Sequence, residues 1–215
     1  MTNSKVAVIG LGNIGQAVAG NLSKSTHSFI VADRSIEKAK ELSAQWGNNA
    51  QPSDISSAVK NAGIVVLAIP FGAIAAFIKE YASDLEGKII VDPSNAIAPD
   101  ENGGFKKIIG EKESAGEINA TALPKGTKLA KALGTLGAAS LANAAYQSPE
   151  KSVLFYATND NSIDGNIEQL ISDNGFEPVK IGGLDQSIRI EVFGDLHEFG
   201  ALGKTVDKTE ALTKL

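Results

Sequence analysis

An α/β fold with a doubly wound, mostly parallel sheet follows from three observations on the chain. Short apolar runs of strand length alternate with longer amphipathic stretches of helix length, the order expected of strand–helix–strand units. The runs at 6–9, 64–68 and 88–91 are apolar almost throughout, as strands buried on both faces are. The first run ends in a glycine-rich turn, Gly10-Leu11-Gly12-Asn13-Ile14-Gly15, that leads directly into a helical stretch. With 215 residues the chain is long enough for one large domain and a small appendage.

The elements read in order as follows. Residues 6–9 form a strand and 16–24 a helix. Residues 28–32 form the second strand and 35–46 a helix. A short third strand fits 50–51. The helix at 53–60 would be capped by Ser53, whose hydroxyl can accept from a free N–H of the first turn. Residues 64–68 are the fourth strand, Pro70-Phe71-Gly72 a turn, 73–81 a helix and 88–91 the fifth strand. After Asp92-Pro93 the texture changes. Residues 96–116 hold Pro99, Asn102, Gly103, Gly104 and Gly110 among many charges, a long polar loop with one short helix near 105–109. A loop of such length in a compact domain is either a cover over a site or a mobile stretch. Then come a strand at 128–133, a small-residue helix at 137–146, and a strand at 153–157. A helix at 163–174 stops at Gly175, in the usual left-handed position past a helix end. Residues 177–181 are a further strand, and 184–202 a final helical region weakened by Gly194 and Gly200.

Composition excludes several classes. The formal net charge is −5 with no basic cluster, which argues against nucleic acid as a partner. No cysteine is present, so disulfides, thiol nucleophiles and thiolate metal sites are excluded. His27 and His197 are far apart in sequence, and no metal site is expected. Residues 64–78 carry no charge but fall short of the roughly 20 residues of a membrane-spanning helix, and Pro70 interrupts them. The first strand begins almost at once, with no signal-peptide pattern, so a cytoplasmic protein with no membrane partner is expected.

The glycine turn carries the functional reading. A buried strand ending in G-x-G-x-x-G aims the N-terminus of the next helix at a bound pyrophosphate. Gly10 permits the tight turn, Gly12 lets the backbone approach the phosphates, and Gly15 lets helix and strand pack closely. This context points to a Rossmann-type dinucleotide site in residues 1–150. Residues 151–215 would complete the sheet and supply an acceptor and dimer region.

The second strand ends at Ala32-Asp33-Arg34-Ser35. Asp33 lies about 20 residues past the glycines, where a carboxylate can accept from ribose hydroxyls and so favour NAD. Arg34, Ser35 and Lys38 argue for NADP, because a guanidinium, a hydroxyl and an ammonium could hold a 2′-phosphate. The balance leans to NADP. Pro70 and Phe71 follow the fourth strand at the ligand-binding edge of the sheet, where Phe71 could cover part of the cofactor. Asn95, after the fifth strand, could hydrogen-bond the nicotinamide ribose or serve as a turn residue.

Over its whole length the chain resembles the deazaflavin-dependent NADP reductases, the coenzyme F-420-dependent NADP oxidoreductase family, and their reductase-like relatives. The segments VAVIGLGNIGQAVAGNL, VADRSIEKA, IVVLAIPFGAI, IIVDPSNAI, KLAKALGTLGA and GFEPVKIGGLDQSIRIE carry the resemblance. It implies an N-terminal Rossmann domain, a small C-terminal portion, and hydride transfer between NADP(H) and a flavin or deazaflavin co-substrate. By position Gly12, Asn13 and Ile14 look like the phosphate loop. Arg34, Ser35 and Lys38 look like the 2′-phosphate site, and Ile69 and Pro70 like the turn against the cofactor. Asp33, Ala96 after Asn95, and Leu133-Gly134 depart from residues common in that family.

An alcohol dehydrogenase needs a general acid or base, because a hydroxyl proton moves with the hydride. No histidine or lysine stands obviously after a strand in that role; Lys131 is the best candidate. A flavin-like acceptor removes the requirement, since its ring takes the hydride and solvent settles the proton. The segment 134–137 and the small-residue helix after it could give that ring a flat wall, or could only pack closely within the chain or across a homodimer. Two alternatives stay open. One is a dehydrogenase or imine reductase of a small carbonyl compound, with Lys131 as proton donor. The other is a non-catalytic NAD(P)-binding sensor module.

Overall fold

The structure, a computed structural model, describes residues 4–101 and 103–215; Asn102, in the polar stretch noted above, lies outside the described residues. The N-terminal half alternates strands and helices: β1 (Val6–Ile9), α1 (Asn13–Leu22), β2 (Phe29–Ala32), α2 (Ile36–Gln45), β3 (Ala50–Ser53), α3 (Ile55–Asn61), β4 (Ile64–Leu67), α4 (Phe71–Glu80), α5 (Ala82–Leu85) and β5 (Ile89–Asp92). The second half adds β6 (Ile97–Pro99), β7 (Phe105–Lys107), α6 (Ala115–Ala120), β8 (Lys128–Lys131), α7 (Ala138–Asn143), β9 (Val153–Thr158), α8 (Asp164–Asp173), β10 (Glu177–Gly182) and α9 (Lys208–Leu212).

One eight-stranded sheet runs in the order β10-β9-β8-β5-β4-β1-β2-β3. Pairing is parallel from β3 to β8, β9 runs antiparallel to β8, and β10 is parallel to β9. This is a Rossmann-like α/β fold. Both faces are covered, and alternate side chains of one strand enter opposite cores. Val8, Val66 and Val91 pack on the face of α1 and α7, while Ala7, Val65 and Ile90 pack on the face of α3 and α4. A third cluster lies under β9 and β10, where Phe155 and Val179 meet Ile190, Leu196 and Val206. The strand order reverses between β1 and β4, the switch point where doubly wound sheets open a crevice at their carboxyl ends.

Four readings of the sequence are corrected. Asp54, not Ser53, caps α3: its Oδ1 accepts from the Ser57 N–H at 2.9 Å, because Ser53 still pairs with Ala32 as the last residue of β3. The expected short helix near 105–109 is a strand; β7 closes an antiparallel hairpin on β6, with Pro99 opposite Phe105. The strand expected at 128–133 ends at Lys131, since Leu133 takes a φ of +65°. The expected helical region at 184–202 is a 3-10 run (Leu184–Ile190) followed by turns. There the chain crosses itself too closely for a helix. A Cβ on Gly194 would lie 2.3 Å from the Arg189 carbonyl oxygen, and one on Gly200 1.8 Å from that of Gly194. Among the described residues no helix is long and apolar enough to cross a membrane.

Candidate active site

The three glycines of the first turn do different work. Gly10 has a φ of +90°, and a Cβ there would sit 2.5 Å from the Ala68 carbonyl oxygen. A Cβ on Gly15 would lie 1.9 Å from the Gly10 oxygen, so the α1–β1 packing requires its absence. Gly12 is unlike both: its φ of −75° suits any residue, and a Cβ there would meet nothing within 4 Å. The fold therefore does not need glycine at 12, and the backbone there is open to close approach. Gly12 is also the N-cap of the ten-residue α1, which has no side-chain cap and no acidic residue in its first turn. The first N–H groups of a helix have no intrahelical partner and carry its positive dipole end, so this terminus is ready for a phosphate. The residues present thus fit a dinucleotide.

A cavity of about 670 Å³ opens on one side of this terminus. Gly10, Leu11, Asp33, Arg34 and Lys38 form its polar end, and Ile55, Ala73 and Phe77 an apolar wall suited to an adenine ring. Asp33 accepts from the Leu11 N–H at 2.8 Å and from Lys38 Nζ at 3.3 Å. Burial alone would raise its pKa. The bonds from Leu11, Lys38 and Ser35 outweigh that and hold the carboxyl below the ordinary carboxylate range. Arg34 is exposed and makes no ion pair among the described residues. Ser35 does not line the cavity. Its hydroxyl caps α2, accepting from the Lys38 N–H at 3.2 Å and donating to Glu37.

A second cavity of about 400 Å³ lies on the other side of Gly12, sharing Ala68, Ile69 and Pro70 with the first. Asn13, Ile14, Phe71, Ser94 and Asn95 line it from the N-terminal half. Phe105 from the hairpin, Leu136 and Gly137, and Val192, His197 and Phe199 from the C-terminal loop complete it. That loop is held by long-range bonds. Asn95 Oδ1 accepts from the Val192 N–H at 2.7 Å, and its Nδ2 donates to the Gly134 carbonyl at 3.2 Å. Both ends of the Asn95 amide thus brace the wall, and each keeps one further donor or acceptor site. Glu198 accepts from the Gly137 N–H at 2.7 Å and from Ser140, capping α7 from outside the helix. α7 itself packs on α1, where Asn21 Nδ2 donates to the Leu141 carbonyl at 2.8 Å.

His197 is buried and fixed as one tautomer. The Phe199 N–H donates to Nδ1 at 2.9 Å, so Nε2 carries the proton and donates to the Gly134 carbonyl at 3.0 Å. Burial lowers its pKa to about 4, against the opposing pull of Gly134 and Glu198, with Lys131 adding to the fall. The imidazole is neutral near pH 7 and has no proton to give. A histidine with a depressed folded pKa lends stability above its unfolded pKa and loses it as pH falls toward the folded one. Between about pH 7 and pH 5 this amounts to about 2 kcal/mol. Denaturant titrations at the two pH values should show a drop larger by about that amount in the native protein than in His197→Gln.

Lys131 is not brought to either cavity. It is 2% exposed, with Nζ donating to Asp92 Oδ2 at 3.1 Å and to the Ser94 carbonyl, and lying 3.8 Å from Glu191 Oε1. Asp92 also accepts from Asn119 Nδ2 and the Ser94 N–H, and Glu191 from the Ala115 and Gly116 N–H groups. The residue named from sequence as a proton donor is the centre of a buried ionic cluster beneath the second cavity.

Of the residues selected from sequence, Gly10, Leu11, Gly12, Asn13, Ile14, Asp33, Arg34, Lys38, Ile69, Pro70, Phe71 and Asn95 line one cavity or the other, and Ser35 lines neither. Leu11 takes part through its backbone: its N–H is engaged by Asp33 and its side chain is core. Sequence reasoning missed Ser94, Phe105, Val192 and Phe199. A lone phenylalanine in the polar Gly103-Gly104-Phe105-Lys106 stretch was a signal for Phe105. Val192 and Phe199 gave none, because they stood in an expected helix.

Residues 5–96 match the family model described as NADP oxidoreductase, coenzyme F420-dependent. Among solved structures, a hypothetical protein from Sinorhizobium meliloti is 28% identical with a TM-score of 0.82, covering 95% of this chain and 96% of that one. A proposed F420-dependent NADP reductase from Arthrobacter sp. FB24 shares the fold, at 22% identity and a TM-score of 0.72, over 86% of this chain and 87% of that one. Among curated proteins, a glycerol-3-phosphate dehydrogenase (NAD(P)+) from Lysinibacillus sphaericus is 27% identical over 128 residues. That match covers 54% of this chain, which spans only 38% of the relative's length.

Proposed function

From the likeness of residues 5–96 to the coenzyme F420-dependent NADP oxidoreductases, and from the two-part cleft around Gly12, we propose that the chain is an NAD(P)-dependent oxidoreductase. On this reading it passes a hydride between NADP(H) and a flavin or deazaflavin. Gly12, Asn13 and Ile14 would hold the pyrophosphate by main-chain N–H groups. Arg34 and Lys38 would hold the 2′-phosphate, and Ile69, Pro70 and Phe71 would back the nicotinamide. The nucleotide supplies a hydride when bound. The chain's own part is to seat two rings against each other at reacting distance.

One observation carries the choice of acceptor: among the described residues lining the second cavity, the single titratable side chain is His197, neutral with both ring nitrogens engaged. No lining side chain stands ready to give or take a proton. Its other walls are largely apolar, with Phe71, Phe105 and Phe199 suited to a flat ring. A ring acceptor that settles its proton with solvent suits such a cavity; a carbonyl that must be protonated by the enzyme does not. The same reading is of a cytoplasmic enzyme. α7 buries Leu141 and leaves Ala139 and Ala142 exposed, so these small residues stay open to a second copy of the chain.

The test is anaerobic mixing with NADPH and, separately, riboflavin, FMN, FAD, a deazaflavin, and a panel of small imines and ketones. Loss of the reduced-nicotinamide band with a flavin or deazaflavin is expected. Turnover with imines or ketones alone would reject the acceptor assignment.

A further inference from the structure

Ser94 sits at the carboxyl end of β5, in the wall of the second cavity, and is 8% exposed. Both of its backbone groups are fixed by buried charges. Its N–H donates to Asp92 Oδ1 at 2.7 Å, and its carbonyl accepts from Lys131 Nζ. Asp92 and Lys131 are themselves joined at 3.1 Å, and are 0% and 2% exposed. An ion pair taken this far out of water is a weak source of net stability, so its presence calls for another reason. Here it holds one residue by both ends of its peptide units. The side chain so positioned has no partner: Ser94 Oγ makes no hydrogen bond among the described residues. A buried hydroxyl without a partner is uncommon in folded proteins and costs desolvation energy. Asn95, its neighbour, has both amide ends engaged, and His197 both nitrogens. Ser94 therefore holds the uncommitted hydroxyl of this wall.

We propose that Ser94 Oγ is the hydrogen-bonding group for the carboxamide of the nicotinamide ring, and that the Asp92–Lys131 pair is the device that positions it. This rests on the NADP(H) reading above and deepens it. The dinucleotide crosses the carboxyl edge of the sheet at the switch point, which brings its nicotinamide end to the side of β4 and β5. A serine hydroxyl can donate to the carboxamide oxygen and accept from its amino group; Oγ is buried in the rotamer seen, and a turn about χ1 would bring it to the ring.

Ser94→Ala removes a hydroxyl that bonds nothing, so the thermal midpoint should stay level or rise. Calorimetric titration should give an NADPH Kd raised about three- to tenfold, the worth of one neutral hydrogen bond. Titration with 2′-phospho-ADP-ribose, which has no nicotinamide, should give native affinity. An unchanged NADPH Kd in the folded variant overturns the assignment. So does an equal loss for both ligands, which would place the effect away from the nicotinamide. If native protein binds neither ligand, the NADP(H) reading itself has failed, and that outcome is distinct from both.

Discussion

Lys131→Met should lose about 3–5 kcal/mol of unfolding free energy in denaturant titration, with little change in the denaturant dependence. Methionine fills the volume of the lysine stem, so the loss is electrostatic rather than a cavity. What remains is two carboxylates, Asp92 at 0% and Glu191 at 4% exposure, without the ammonium that lies 3.1 and 3.8 Å from them. Each keeps part of its support, Asp92 from Asn119 and the Ser94 N–H, Glu191 from two α6 amides, so the fold weakens but survives. Adding Asp92→Asn should recover part of the loss. Asn119 can turn its amide to face the new one, and a buried charge is gone. The double variant falling short of the sum of the singles is the signature of a coupled pair. Additive losses would mean that the two side chains do not act together.

Gly12→Asp should lose at least about 100-fold in affinity for NADPH while the protein stays folded, since a fixed carboxylate would then face the pyrophosphate and fill the approach. The contrast with stability is the informative part. Nothing lies within 4 Å of the new Cβ, the backbone is already extended, and the residue is the N-cap of α1. Aspartate is a favoured cap, so stability should hold or rise by up to about 1 kcal/mol. A glycine that served only the fold would give the opposite result, lost stability with binding following it down. Gly15 is such a residue, with the Gly10 oxygen 1.9 Å from its would-be Cβ.

The Gly12 side of the cleft was legible in the sequence because its geometry is local. The strand, the glycine turn, the helix start and Asp33 lie within one strand–helix–strand unit, and their spacing carries the chemistry. The four parallel strands β1, β2, β4 and β5 were legible because burial on both faces leaves apolar runs. The second cavity was not legible, because the contacts that build it are long-range. Glu191 reaches an α6 amide 76 positions away and Glu198 an α7 amide 61 away. Each glutamate answers a helix start that leaves those amides free, a complementarity that no periodicity displays. The C-terminal loop read as a helix because its apolar residues recur at helical spacing; the two glycines that let the chain cross itself read only as weak points. Lys131 was the best proton-donor candidate for a similar reason: one cation between two alanines suggests chemistry until its two buried counter-ions are in view.

The central claim is that the amides opening α1 receive the diphosphate of a pyridine nucleotide. Calorimetric titration of the wild-type protein with NADPH tests it most directly. One saturable site per chain is expected, tighter for NADPH than for NADH if Arg34 and Lys38, which line the first cavity, hold the extra phosphate as proposed. Heats that never saturate with either nucleotide, from protein shown to be folded, would contradict the account.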